Sequence, residues 1–316
     1  LFEDLEIKIM SEVAIRTNEI TRDFGKVRAI DRLSIEVPSG IVFGFLGPNG
    51  SGKTTTIHLL LGLLEPTSGK AEVMGFDTVT QAGEIRSKAG ALLEFSGVYE
   101  RLSAIDNLEY YGRIWKMSAA DRRARSKELL DHMGLWERRN DKVGKWSKGM
   151  KQKLAVARTI YHSPRLVFLD EPTSGLDPVA AAALREDIES LVHREKSTVF
   201  LTTHNLPEAE KLCDRIGIIN KGKLIAAGSP EDLRHKAIKP RIEVVGRGFN
   251  ESLVISLRSM PEIAGVEIKN DRLMIDLHDE KQASEAVSRV ISAGGKVEEV
   301  RKASLEEAFL SLMEAQ

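Results

Sequence analysis

Apolar positions fall into two textures along the chain. From Ala14 to about Gly228, short apolar runs alternate with longer segments of helical period, which predicts an α/β domain. The runs that read as strands are "VRAIDRLSIEV", "IVFGFL", "KAEVMGF", "GALLEF", "RLVFLD", "STVFLTT" and "RIGIINKGKLIAAG". Between Ser103 and Val143 these runs stop. Charged helical stretches such as "MSAADRRARSKELLDHMGL" replace them and predict a helical subdomain at about 103–162, inserted into the α/β layer.

After "GSPEDLRHKAIKP", where Pro230 and Pro240 bracket a short helix and a linker, the texture changes. From Arg241 the order reads strand "RIEVVG", helix "ESLVISLRSM", strands "GVEIKN" and "RLMIDLH", helix "KQASEAVSRVISAG", strand "KVEEVRK" and a last helix "SLEEAFLSLMEA". That βαββαβ order predicts a ferredoxin-like α+β unit. The expected division is an N-terminal extension at 1–13, the α/β domain at 14–233, a linker at 234–240 and an accessory domain at 241–316. Within the extension, "LFEDLEIKI" lacks the basic start of a secretory signal, and Met10 is the expected native start.

A length of 316 residues agrees with two domains of sizeable core. The balance of 46 Lys and Arg against 47 Asp and Glu leaves a net charge of -1, so no overall field draws the chain to nucleic acid or an anionic membrane. Cys213 is the single cysteine, which excludes an internal disulfide and a thiolate metal cluster and suits a reducing cytosol. The longest apolar run, "HLLLGLL" at His58 to Leu64, falls short of the roughly 18 to 20 residues of a membrane span. A membrane role therefore requires a separate spanning partner.

The chemistry concentrates in three places. "GPNGSGKT", Gly47 to Thr54, follows the strand "IVFGFL" and opens the helical "TTTIHLLLGLL", the context of a P-loop. Its glycines let backbone N–H groups curl round phosphates, Lys53 adds a point charge and Thr54 offers a hydroxyl to Mg²⁺. A GTPase would carry Asn-Lys-x-Asp, whereas "NKGK" at Asn220 ends in lysine, so adenine is the expected base. Phe24, upstream of the loop, is either a stacking platform for it or a core residue at a strand end.

"RLVFLDEPTSGLD", Arg165 to Asp177, delivers two carboxylates at the end of a buried strand. Asp170 suits a magnesium ligand and Glu171 a polariser of the attacking water. His204, ending "TVFLTTH", is placed to meet a γ-phosphate, to orient the water or to serve structurally. The third place is "KWSKGMKQKLAVARTI", where Ser147 opens an amphipathic helix whose first turns carry Lys148, Lys151 and Lys153. A helix N-terminus favours an anion, here nucleic acid, a membrane surface or a nucleotide phosphate.

Together these residues resemble the nucleotide-binding subunit of ATP-binding cassette transporters over Ala14 to about Leu233. "GPNGSGKT" corresponds to Walker A, "LVFLDE" to Walker B, "SGLD" to the D-loop, His204 to the switch histidine and "WSKGM" to the signature. The resemblance implies a P-loop NTPase fold and hydrolysis of ATP with Mg²⁺. It assigns Gly47, Pro48, Asn49, Gly50, Ser51, Gly52, Lys53, Thr54 and Thr55 to the nucleotide, Phe24 to adenine, and Thr54 and Asp170 to the metal. Lys53, Glu171 and His204 form the implied catalytic set. Ser147 and Gly149 are implied to reach the γ-phosphate bound on a second cassette, whether a second copy or another chain.

Two motifs depart from the family pattern. Lys148 and Met150 stand where Gly and Gln are usual, and Glu94, in "AGALLEFSGVY", replaces the Q-loop glutamine with a carboxylate able to ligate Mg²⁺ or water. These departures and the tail "SLEEAFLSLMEA" resemble the drug and antibiotic-peptide exporter branch, of the daunorubicin-resistance and lantibiotic type. That likeness implies a separately encoded integral-membrane permease and a place on the cytoplasmic face of the membrane. The competing expectation is a soluble cassette ATPase acting on nucleic acid or ribosomes. One phosphate loop, a short insertion and near-neutral charge disfavour it.

Overall fold

The computed structural model describes residues 13–94, 96–237, 240–269, 272–302 and 304–314, so the expected start at Met10 lies outside the described residues. The chain divides into two compact units, Leu1–Ala227 and Gly228–Gln316.

The first unit holds two sheets. One is antiparallel and built from β1 (Val13–Phe24), β2 (Val27–Leu33), β3 (Glu36–Pro38), β5 (Ser68–Val73) and β6 (Phe76–Asp77), in the order β2-β1-β5-β6 with β3 on β1. Two departures from the sequence expectation arise here. The run "VRAIDRLSIEV" is interrupted because the buried Thr17 hydroxyl donates to Leu33 O at 2.9 Å and accepts from Ile35 N at 2.9 Å, so a side chain replaces the ladder at that point. β1 itself, "VAIRTNEITRDF", is too polar to read as a strand. Its partners on both sides make it one.

The other sheet carries β4 (Val42–Leu46), β7 (Ala89–Leu92), β8 (Leu166–Asp170), β9 (Thr198–Thr203), β10 (Arg215–Asn220) and β11 (Lys223–Gly228) in the order β11-β10-β4-β9-β8-β7. From β10 to β7 the neighbours run parallel. β4, β8 and β9 are buried along their whole length, which is why each has an apolar run at its centre rather than alternation, with Asp170, Thr202 and Thr203 at the strand ends. Phe200 sits at the centre of this core, 5.5 Å from the rings of Phe43 and Phe45 and 5.7 Å from Phe168. The single run "RIGIINKGKLIAAG" becomes two strands, because Lys221 and Gly222 turn the chain at φ 47° and 79°.

Helix α1 (Lys53–Leu60) follows β4 and α2 (Ala82–Lys88) follows β6. The helical part contains α3 (Ala104–Ile114), α4 (Ala119–His132) and α5 (Lys148–Thr159), whose N-caps Ser103, Ser118 and Ser147 each accept from the backbone N–H three residues on. α6 (Pro178–Glu195) is capped by Asp177 and α7 (Leu206–Leu212) by Asn205.

His162, just beyond α5, stacks on Trp115 at 3.9 Å and 10° and contacts Ala89 O at 3.2 Å. Burial, reinforced by the charges of Arg125 and Arg158, lowers its pKa from 6.5 to about 4. The native chain thus binds fewer protons than the unfolded chain between these values, so this contribution to stability is full above pH 6.5 and is lost as pH falls towards about 4. His162→Phe keeps the stacking partner and should flatten that part of the pH dependence in denaturant unfolding curves.

The second unit carries α8 (Pro230–Ala237), β12 (Arg241–Arg247), α9 (Glu251–Arg258), β13 (Ile263–Lys269), β14 (Arg272–Leu277), α10 (Ala283–Ser292), β15 (Lys296–Lys302) and α11 (Leu305–Glu314). Its sheet is antiparallel in the order β13-β14-β12-β15, with alternate residues Ile242 and Val244 of β12 and Leu273, Ile275 and Leu277 of β14 buried beside Leu253, Leu257 and Val290. The stretch 234–240, expected as linker, is helical as far as Ala237. α8 packs on α11, with Leu233, Leu305 and Ala308 fully buried, and this contact draws the helix into the second unit.

Candidate functional site

The parallel register brings three loops to one edge. Leu46, closing β4, lies opposite Thr203 of β9, and Asp170, closing β8, lies opposite Thr202. Three adjacent strands therefore release the glycine loop, Glu171 and His204 side by side, at the carboxyl ends where α/β sheets place ligands.

The loop at Gly47–Thr54 is closely supported. A Cβ on Gly47 would lie 2.3 Å from Ile219 O, and one on Gly52, at φ 111°, would lie 2.8 Å from Ala29 O. Only glycine fits there. Gly222 N donates to Ser51 O at 2.9 Å, so the "NKGK" turn buttresses the loop. Lys53, 6% exposed, opens α1 and donates to Gly47 O at 2.8 Å and Pro48 O at 3.3 Å, with Glu171 Oε1 3.4 Å away.

Thr54 Oγ1 donates to Asp170 Oδ2 at 2.7 Å, and Thr202 Oγ1 donates to Asp170 Oδ1. Glu171 N donates to both Thr202 O and Thr202 Oγ1 at 3.1 Å, which holds Glu171 at φ 49°, a left-handed conformation uncommon outside glycine. His204 Nδ1 lies 2.6 Å from Glu171 Oε2. The resulting cleft, about 320 Å³, is lined by Ala29, Asn49, Gly50, Gly52, Lys53, Thr54, Thr55, Glu171, Ser174 and His204. Fixed amides and one ammonium on its floor suit an anion; the carboxylate and imidazole at its wall suit proton transfer from water.

Among the described residues no group of three or more His, Cys, Asp and Glu could hold a metal. Thr54 and Asp170 together offer hard oxygen donors. That set fits Mg²⁺, which uses one or two protein oxygens and takes the rest from phosphates and water.

A family model described as ABC transporter matches residues 30–174. Over 308 residues the chain is 36% identical to the daunorubicin resistance ATP-binding protein DrrA3 of Streptomyces coeruleorubidus, covering 96% of each. This chain belongs to the ABC transporter ATP-binding family. It is also 36% identical over 295 residues to the bacitracin transport ATP-binding protein BcrA of Bacillus licheniformis, covering 92% of this chain and 89% of that one. A solved structure described as the ATP binding subunit of an ABC transporter superposes with a TM-score of 0.63 at 28% identity, over 71% of this chain and 92% of that chain. The cassette is accordingly an ATPase subunit of a transporter. The relatives favour transport over the nucleic-acid alternative.

The remaining site residues of the cassette take these positions. Phe24 ends β1 at 44% exposure with the Arg22 guanidinium 4.6 Å over its ring, so it is a surface aromatic and the core alternative is corrected. Glu94 is exposed after β7 and lines a second cleft with Thr54, Lys148, Asp170 and Glu171. Ser147 is exposed, and its hydroxyl accepts from Met150 N at 3.2 Å. Neither Ser147 nor Gly149 lines the phosphate-loop cleft of its own chain.

The basic end of α5 is largely satisfied internally. Lys151 pairs with Glu100 at 2.6 Å and Lys153 with Asp187 at 2.9 Å. The Lys148 ammonium lies against the D-loop, where a Cβ on Gly175 would be 2.2 Å from it. Thr202, Ala29 and Gly222 escaped the sequence reading. Thr202 carried a signal, a hydroxyl residue two positions before the strand-end histidine, but its bond to Asp170 follows from strand register.

Proposed function

We propose that this cassette is the ATP-hydrolysing subunit of an exporter for a drug, an antibiotic peptide or a related compound, working at the cytoplasmic face of the membrane with a separately encoded permease. The observation that carries this is the convergence of Lys53, Thr54, Glu171 and His204 on one cleft at the ends of three neighbouring strands, with Asp170 bonded to Thr54 beside it. The named relatives, with which nearly the whole chain aligns, supply the transport setting.

In this reading the amides of Gly47 to Thr54 enclose the ATP phosphates and Lys53 neutralises them. Thr54 and Asp170, with Glu94 beside them, hold Mg²⁺, which when bound neutralises phosphate charge. Glu171 takes a proton from the attacking water, and His204 leaves or shares Glu171 to hold the γ-phosphate. Ser147 and Gly149 complete the site of a second cassette in an ATP-bridged dimer, which hydrolysis releases. The cassette domain ends near Ala227. The βαββαβ unit beyond it is a ferredoxin-like accessory domain.

Phe24 stacks on adenine in this scheme. Phe24→Ala should raise KM for ATP about tenfold, the worth of one base–aromatic contact, with kcat changed less than about twofold. Steady-state ATPase kinetics check it. The proposal as a whole is tested by purifying the tagged chain from membranes and assaying its ATPase activity against candidate compounds. A co-purifying spanning protein and compound-stimulated hydrolysis are expected; a chain recovered without such a protein, and indifferent to every compound, would overturn it.

A further inference from the structure

Behind the Glu171–His204 contact lies a second carboxylate that the hydrolytic scheme does not use. Glu208, on α7, is 1% exposed and makes no ion pair among the described residues. Its Oε2 accepts from Thr173 Oγ1 at 2.8 Å and from Thr203 Oγ1 at 3.2 Å, while Oε1 is buried without a partner. Thr173 lies two residues after Glu171 and immediately before the D-loop. Thr203 immediately precedes His204. One oxygen therefore joins the two loops that carry the reactive groups.

The support is itself supported. Thr203 Oγ1 accepts from Asn205 N at 2.9 Å, and Asn205 Oδ1 caps Glu208 N at 3.2 Å, so the loop and the first turn of α7 close on each other. α7 packs on β4, the strand that feeds the phosphate loop, with Ala209 and Leu212 buried. Burying a carboxylate without a cation is costly, and two hydroxyl donors repay only part of that cost. A side chain serving packing alone would be apolar here.

We infer that Glu208 is a positioning residue, which holds the D-loop and His204 in register so that Glu171 and His204 meet the same phosphate. Its two bonds survive when His204 swings from Glu171 towards the γ-phosphate, and they carry a displacement of either loop to the other. The inference rests on the hydrolytic roles proposed for Glu171 and His204.

The test uses the purified 316-residue chain, with fluorescent-nucleotide binding and steady-state ATPase assays on Glu208→Ala, Glu208→Gln, Thr173→Val and, as a reference, Glu171→Gln. Misplacement of reacting groups by an ångström costs about 10²-fold, so Glu208→Ala should lose kcat on that order with KM and nucleotide affinity within about threefold. Glu208→Gln, whose amide oxygen accepts both hydroxyls, should restore kcat to within about threefold of wild type. Thr173→Val removes one bond at constant volume and should cost about threefold or more in kcat at unchanged KM, which keeps the test alive if Glu208→Ala does not fold. Glu208→Gln as damaged as Glu208→Ala, nucleotide affinity lost in step with kcat, or a Thr173→Val enzyme of wild-type kcat would each overturn the inference. An unimpaired Glu171→Gln would instead strike at the hydrolytic roles themselves.

Discussion

Glu171→Gln is expected to lower ATP hydrolysis by about 10²- to 10⁴-fold while ATP binding is retained, the range for removal of a general base. The amide keeps the shape and the capacity to bond His204, which lies 2.6 Å from the native carboxylate, but it does not take a proton from water. Lys53 keeps its bonds to Gly47 O and Pro48 O and loses only the charge 3.4 Å away, so the phosphate-binding floor is preserved. With binding intact and hydrolysis blocked, ATP should hold two copies together. Size exclusion with ATP should show a persistent dimer, and a monomer under all conditions would count against the bridged arrangement.

Ser147→Arg should abolish hydrolysis and spare nucleotide binding by the isolated chain. Ser147 is exposed, does not line its own phosphate-loop cleft, and its hydroxyl caps α5 by accepting from Met150 N. Loss of that cap costs about 1 kcal/mol, too little to unfold a domain of this size. The added guanidinium would project from the surface proposed to meet the partner's γ-phosphate, where its bulk keeps the two cassettes apart. ATPase assays paired with fluorescent-nucleotide titration decide the matter. Equal loss of binding and hydrolysis would place Ser147 in its own chain's site instead.

Legibility differed among these residues for physical reasons. The glycine loop was readable because its eight consecutive residues carry the pattern, while the close floor at Ala29 and Ile219 that admits only glycine is distant in sequence. The buried strands β4, β8 and β9 were readable from their apolar centres. β1 was not, since its polar sequence becomes a strand only through pairing with neighbours distant in sequence, such as Arg16 with Glu72. The lysines of α5 read as a waiting anion site, whereas Glu100 and Asp187, distant in sequence, neutralise two of them.

The sequence by itself determined the alternation of strands and helices, the phosphate loop, the strand-end carboxylates and the serine that opens α5, because each depends on local spacing. Tertiary structure decided which of these act together. Parallel register between β4, β9 and β8 sets Lys53 beside Glu171 and Glu171 beside His204, and folding back of α7 puts Glu208 beneath both loops. It also left Phe24 at the surface and turned the Lys148 ammonium onto the D-loop. Most of these juxtapositions join residues tens to more than a hundred positions apart, set by hydrogen-bond register and core packing rather than by local pattern.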